Sequence, residues 1–296
     1  MHRSTLLCAL VVFAAAASAQ AQTDYSKVEI KTTQLSGNFY TLEGSGGTIG
    51  ALVGPDGVFM VDGEFAPLTD KILAAIRKIS NTPPRFMINT HVHGDHTGGN
   101  ANFAKAGVTI LARPELRERL MHPAPGANGA PGTPAPAEAL PVITYDAPIT
   151  LHMNGEEIDA IPVPRAHTDG DTMIHFVNAD VIMTGDFYRS IQYPNIDRTN
   201  GGSLNGMLAG LAEVIAMAGP NTKIVPGHGP VVNREAVAAH RDMILALRDR
   251  VAAQIKQGKT QEQVIAAKLT ADYDSKISQA GTTGDRFIGQ LYQELK

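Results

Sequence analysis

Short apolar runs alternate with amphipathic stretches along most of this chain, and the two periods predict its elements. Strand-type runs fall at Val28–Thr32, Phe39–Leu42, Thr48–Val53 and Val58–Val61, with a Gly54-Pro55-Asp56-Gly57 turn before the last. Leu68, Ile72, Leu73 and Ile76 recur at helical spacing and predict a helix over Pro67–Ile79. A strand follows at Arg85–Asn89, then a helix near Ala101–Ala106, a strand at Val108–Ala112 and a helix opening at Pro114, a favoured first position. Further strands are predicted at Ile149–Met153, Glu157–Val163, Thr172–Val177 and Val181–Thr184. After them come a helix over Leu204–Met217, a strand at Lys223–Val225 and a long helix capped by Asn233 that runs to about Gln257. Helical segments near Gln261–Leu269 and Asp285–Leu295 complete the pattern. Strands interspersed with helices, with no repeat and no clean linker, fit two sheets covered by helices in one domain.

Two segments depart from that pattern. Met1–Ala21 carries Arg3, an apolar run over Leu6–Ala17 and small residues at Ala17-Ser18-Ala19 or Ala19-Gln20-Ala21. This reads as a secretory signal peptide, too short to span a bilayer, and it places the mature protein in a bacterial periplasm without stable membrane anchoring. The stretch from His122 to Pro141 is rich in Pro, Ala and Gly and reads as a loop, either a lid over a site or a surface insertion.

Composition narrows the function classes. The 296 residues include 43% hydrophobic ones, enough for a sizeable core. A net charge of -4, no Trp and 5% aromatics exclude a nucleic-acid partner, which needs a basic face and stacking platforms. The single Cys, Cys8, lies within the leader, which excludes a disulfide framework and a thiol redox pair. Ten His point elsewhere.

His91-Val92-His93-Gly94-Asp95-His96 concentrates potential metal ligands directly after a strand and before Gly98-Gly99. Imidazoles and carboxylates must converge on a zinc ion from several directions, and a loop leaving a strand can aim successive side chains inward. His167 follows Ile161–Pro164, Asp186 closes Val181–Gly185, and His228 sits between Gly227 and Gly229 after Ile224–Pro226. Three apolar strands that each end in Gly, His or Asp imply one convergent site.

The HxHxDH motif with this isolated His, strand-end Asp and Gly-His-Gly, in this order over roughly Tyr40–Val232, resembles the metallo-β-lactamase superfamily. Asp62, at a strand end ahead of the motif, also matches a structural position of that family. The resemblance implies an αβ/βα sandwich of two mixed β-sheets flanked by helices, filling one domain over residues 22–296 with a helical extension from about 233. It implies two zinc ions per chain, His91, His93 and His167 on the first, Asp95, His96 and His228 on the second, and Asp186 bridging them. Asp95 would also orient the metal-bridging hydroxide that attacks the substrate.

The implied activity is hydrolysis of a small-molecule ester, thioester, lactone or amide, β-lactams included. A periplasmic β-lactamase proper and a mononuclear iron, persulfide-dioxygenase-like enzyme are the alternatives, and a binding module is the third class. Arg189 falls where Cys-bearing β-lactamases put a cation for the substrate carboxylate, and Asn195 where an Asn could assist the oxyanion; a rim cation and a turn residue are the competing readings. Tyr188 and Tyr193 are candidates for the pocket wall. Asp169 and Asp171 are read as ordering the loop behind His167 or accepting its ring N–H, and His240 as surface or packing. The oligomeric state is left open.

Overall fold

The structure is a computed structural model, and it describes residues 23–125, 129–278 and 281–296. The leader Met1–Ala21 lies outside the described residues. Among those described, no helix is long and apolar enough to cross a membrane.

Seven strands form the first sheet in chain order: β1 (Lys31–Ser36), β2 (Phe39–Glu43), β3 (Ile49–Leu52), β4 (Val58–Val61), β5 (Pro84–Ile88), β6 (Thr109–Ala112) and β7 (Ile143–Thr144). Strands β1 to β4 pair antiparallel and β4 to β7 parallel. The second sheet runs β12-β11-β10-β9-β8. Its strands are β8 (Ile149–Met153), β9 (Glu156–Pro162), β10 (Thr172–Phe176), β11 (Val181–Met183) and β12 (Lys223–Val225), with only β11 and β12 parallel.

Strand β4 shows why two sheets and two helical layers follow from the pattern. All four of its residues are buried, and alternate side chains point to opposite faces. Phe59 and Val61 join the core between the sheets, with Phe39, Ile88, Ile174 and Val225. Val58 and Met60 face the opposite way, onto Leu68, Ile72 and Ile76 of the helical layer. That layer contains α1 (Thr69–Ile79), whose apolar positions stand at helical spacing. It is followed by α2 (Gly94–Thr97), α3 (Asn100–Lys105) and α4 (Pro114–Met121). A separate core covers the outer face of the second sheet, under α5 (Leu204–Met217), α6 (Arg234–Lys256), α7 (Gln261–Ala266) and α8 (Gly284–Leu295). The result is the αβ/βα sandwich.

Most element ends shift by one to three residues from the sequence reading, and two departures have a clear physical reason. The first strand starts at Lys31 rather than Val28, because Val28 and Ile30 pack on the α1-side core while the polar run Lys31–Ser36 makes the ladder with β2. The loop from His122 holds a single turn of 3-10 helix at Ala137–Ala139 and leads into β7, a two-residue strand.

Candidate metal centre

Strands of both sheets end at one edge of the sandwich. The chain leaves β5 into Asn89, Thr90 and His91, leaves β9 towards His167, leaves β11 into Asp186, and leaves β12 into His228. The register of the parallel pair, Met183 opposite Val225, sets the Asp186 and His228 turns side by side, and Gly227 N–H donates to the Gly185 carbonyl at 2.9 Å.

Seven side chains converge there in two groups: His91, His93, His167 and Asp186, and Asp95, His96 and His228. In the first, His167 Nε2 lies 2.9 Å from His93 Nδ1. In the second, His228 Nε2 lies 3.0 Å from Asp95 Oδ2. Asp186 joins the groups. Its Oδ2 is 3.9 Å from His91 Nε2 and 3.7 Å from His167 Nε2, whereas Oδ1 is 3.3 Å from His96 Nε2 and 3.4 Å from His228 Nε2.

The residues fit metal ions on an internal test. His91 Nε2, His96 Nε2 and Asp186 Oδ1 are buried with no hydrogen-bond partner. Such atoms cost free energy unless something satisfies them, and a cation between them would.

A surrounding layer aims the imidazoles. His91 Nδ1 meets Thr90 Oγ1 at 3.0 Å, and that hydroxyl donates to Asp62 Oδ2 at 2.7 Å. The same Asp62 oxygen takes His96 Nδ1 at 2.7 Å. His93 Nε2 is held by Asp197 Oδ2 at 2.8 Å, and His167 Nδ1 by the Asn195 carbonyl at 2.6 Å. With one ring nitrogen engaged outward, the other is left to face the site. Asp171 accepts from His167 N–H at 2.6 Å and Thr168 Oγ1 at 2.6 Å, and so orders the turn carrying His167. Asp169 takes Arg119 at 2.7 Å.

The two groups differ in protonation. Burial drives His91 well below its ordinary value, and burial with His93 pushes His167 down to about 3, so both are neutral donors at pH 7. His96 is equally buried, yet Asp62 and Asp186 hold it well above the ordinary value. Burial also opposes the charge on His228, but Asp186 and Asp95 raise it to about 9. Burial would lift the Asp95 carboxyl; His228 and His96 outweigh it and hold it at about 2.

The residues proposed for substrate contact do not stand as the sequence suggested. Arg189 turns inward: its Nε donates to Asp186 Oδ2 at 3.0 Å, its Nη2 reaches the same oxygen, and only 11% of the side chain is exposed. Asn195 lies beneath His167, and its side-chain oxygen accepts from Gln290 of α8 at 2.9 Å, so it faces away from any oxyanion. Tyr188 and Tyr193 are core residues rather than pocket walls. Tyr188 meets the buried His240 edge-on, and Tyr193 stacks on Phe287 and donates to Asp274.

Sequence reasoning missed Asp197 and Asn200. Asp197 accepts from His93, from Asn200 Nδ2 at 2.7 Å and from the Asn200 N–H at 3.2 Å. A cleft of about 420 Å³ opens beside this pair, walled by Arg119, Pro123, Thr133 and Asn200. Part of the Pro/Ala-rich loop thus forms a wall of the cleft, tied back by Ala135 N–H to the Leu120 carbonyl at 2.9 Å.

Comparison with known proteins agrees with this architecture. The metallo-beta-lactamase superfamily model matches residues 42–228, so the chain belongs to that superfamily. It is 27% identical over 173 residues to a hydroxyacylglutathione hydrolase of Polaromonas sp., covering 56% of this chain and 57% of that protein. A second, from Nitrosococcus oceani, is 27% identical over 162 residues, 53% of this chain and 52% of that protein. The chain therefore spans little more than half the length of these relatives. Among solved structures, a sec-alkylsulfatase, Pisa1 from Pseudomonas sp., matches with a TM-score of 0.71 at 17% identity, over 89% of this chain and 50% of that one. A metallo-beta-lactamase from Pontibacter korlensis matches with a TM-score of 0.60 at 16% identity, over 73% of this chain and 99% of that one. These two likenesses concern the fold.

Proposed function

We propose that this superfamily member is an exported hydrolase that holds two zinc ions and cleaves a small ester, thioester, lactone or amide. The observation that carries the reading is Asp186, whose two oxygens face separate donor groups. His91, His93 and His167 would hold one ion, Asp95, His96 and His228 the other, and Asp186 would serve both. Bound zinc supplies Lewis acidity towards a carbonyl oxygen and lowers the pKa of water to about 7.

The protein's own groups do the rest. Asp62, Thr90, Asp197 and the Asn195 carbonyl fix which imidazole nitrogen faces inward. Asp95, with 24% of its side chain exposed, presents Oδ2 beside His228, where it can orient the attacking water by accepting a hydrogen bond from it. The cleft beside His93 receives the substrate, with Asn200 and Thr133 offering hydrogen bonds.

Similarity to hydroxyacylglutathione hydrolases, proteins named for thioester cleavage, makes a thioester the first substrate to test. The inward Arg189 and buried Asn195 give no separate support to a β-lactamase proper. A donor set large enough for two ions likewise favours hydrolysis over a mononuclear iron oxygenase.

Metal analysis of the purified chain, with a panel of glutathione thioester, lactone, aryl ester and cephalosporin substrates assayed with and without chelator, tests the reading. Two zinc ions per chain and chelator-sensitive hydrolysis lost in His93→Ala are expected. Fewer than two ions per chain, or hydrolysis indifferent to chelator and to His93→Ala, would overturn it. Bound iron with oxygen consumption on a persulfide would replace it with the oxygenase.

A further inference from the structure

Glu64 is fully buried and is not one of the converging metal donors. Its backbone sits in the left-handed region at φ +49°, unusual for a residue with a side chain. The carboxylate points at the glycine-rich loop after β2, where Oε2 accepts the N–H groups of Ser45 at 3.1 Å and Gly46 at 2.8 Å. Successive N–H groups folded round one anion make a backbone nest, here filled by a side chain of the same chain.

What the loop touches gives the nest its meaning. Gly47 N–H donates to the Asp95 carbonyl at 3.2 Å, and Thr48 N–H to the Gly227 carbonyl at 2.9 Å, one residue before His228. Gly46 lies so close that an added Cβ would stand 2.7 Å from the Asp95 carbonyl oxygen, and a Cβ on Gly47 would overlap the His96 ring. Residues 46–48 therefore bear on Asp95, on His96 and on the turn of His228. His91, His93 and His167 are held by Thr90, Asp197 and Asn195, none of which touches this loop through a hydrogen bond.

We infer that Glu64 is a positioning residue for one half of the metal centre: by gripping the loop over Gly44–Thr48 it fixes Asp95, His96 and His228 without bearing on the other three imidazoles. The inference rests on the dinuclear reading above. Loss of the carboxylate removes the acceptor that ties down the Ser45 and Gly46 N–H groups and frees the loop to lift from the His96 ring.

Cobalt(II) titration of the metal-free full-length chain, followed by its visible spectrum and by chelator competition, tests this without any substrate. The unaltered protein should take up two ions. Glu64→Ala should bind the first ion within about twofold of the unaltered protein and the second about 10–100-fold more weakly, the usual effect of removing an outer support of a metal ligand. Glu64→Gln keeps an acceptor oxygen at the same reach and should restore most of the second affinity. Gly47→Ala perturbs the same ring from the loop side and should reproduce the selective loss, so the test survives if Glu64→Ala fails to fold. Equal weakening of both ions, or no weakening of either, in Glu64→Ala and Gly47→Ala would overturn the inference while leaving the dinuclear reading intact. A single ion in the unaltered protein would overturn both.

Discussion

Asp197→Asn isolates one outer contact of the metal centre. Asp197 Oδ2 receives His93 Nε2 at 2.8 Å and Asn200 Nδ2 at 2.7 Å, both donors, so the site wants an acceptor with negative charge. Asparagine preserves the shape and can keep one oxygen on both donors, yet it removes the charge and turns an amide nitrogen towards the Asn200 N–H that Oδ1 accepts at 3.2 Å. A hydrogen bond to a charged group is worth about 1.5–3 kcal/mol, against about 1 kcal/mol for a neutral pair. The difference, about 0.5–2 kcal/mol, should appear in how well His93 presents Nδ1, and it corresponds to a roughly 2–30-fold weaker metal affinity. Zinc binding by chelator competition measures it directly, with urea denaturation of the metal-free protein reporting any general loss of stability. Asn200→Ala, which leaves the carboxylate in place, should cost less than Asp197→Asn. Zinc affinity within about twofold of the unaltered protein, in a variant that remains folded, would refute the claim that Asp197 aims His93.

Three further outcomes follow from the same geometry. His96 lies well above its ordinary value and His228 near 9, so both carry protons at pH 7 in the metal-free protein; an ion in that half must displace them, and its affinity should rise with pH between 6 and 8, read as proton release by calorimetry in buffers of different ionisation enthalpy. His240 is lowered by burial from 6.5 to about 4, so the unfolded chain binds its proton first and stability falls as pH drops from 6.5 towards 4, by up to about 3 kcal/mol; His240→Phe should flatten that part of the urea-midpoint profile of the metal-free protein. Gly206→Ala would drive a methyl group into the Arg165 carbonyl, two residues before His167, and should cost about 1–3 kcal/mol in urea denaturation.

Much of this architecture is legible in the sequence because its signals are local. The strand at Val58–Val61, the helix over Leu204–Met217 and the cap at Asn233 each depend on a run of a few residues, and the structure gives each of them the same bounds. The dense motif His91–His96 and the strand-end positions of His167, Asp186 and His228 are read the same way, and the structure brings all their donors together. Direction is harder to read than position. Arg189 follows Asp186 by three residues, and spacing alone does not say that its guanidinium folds back onto that carboxylate instead of outward. Asp197 is separated from His93 by 104 positions and sits among ordinary turn residues, so only tertiary folding shows the contact. Glu64 is more hidden still, since an acid in the run Asp62–Phe65 reads as a surface residue until the loop over it is seen. Strand β7 has two residues and gives no period to detect.

Helix α8 has a bearing on how the metal centre is completed. Gln290 of α8 donates to the Asn195 side chain at 2.9 Å and to the Ile196 carbonyl at 3.1 Å, and accepts from Ile196 N–H at 3.1 Å. That clasp secures the peptide segment whose Asn195 carbonyl holds His167 and whose next residues lead to Asp197. A chain cut ahead of α8 would keep every one of the converging metal-binding side chains yet lack the clasp that locks two of them. Completion of the centre therefore waits on the docking of α8, and a polypeptide clipped ahead of that helix would display histidines without the means to hold an ion firmly.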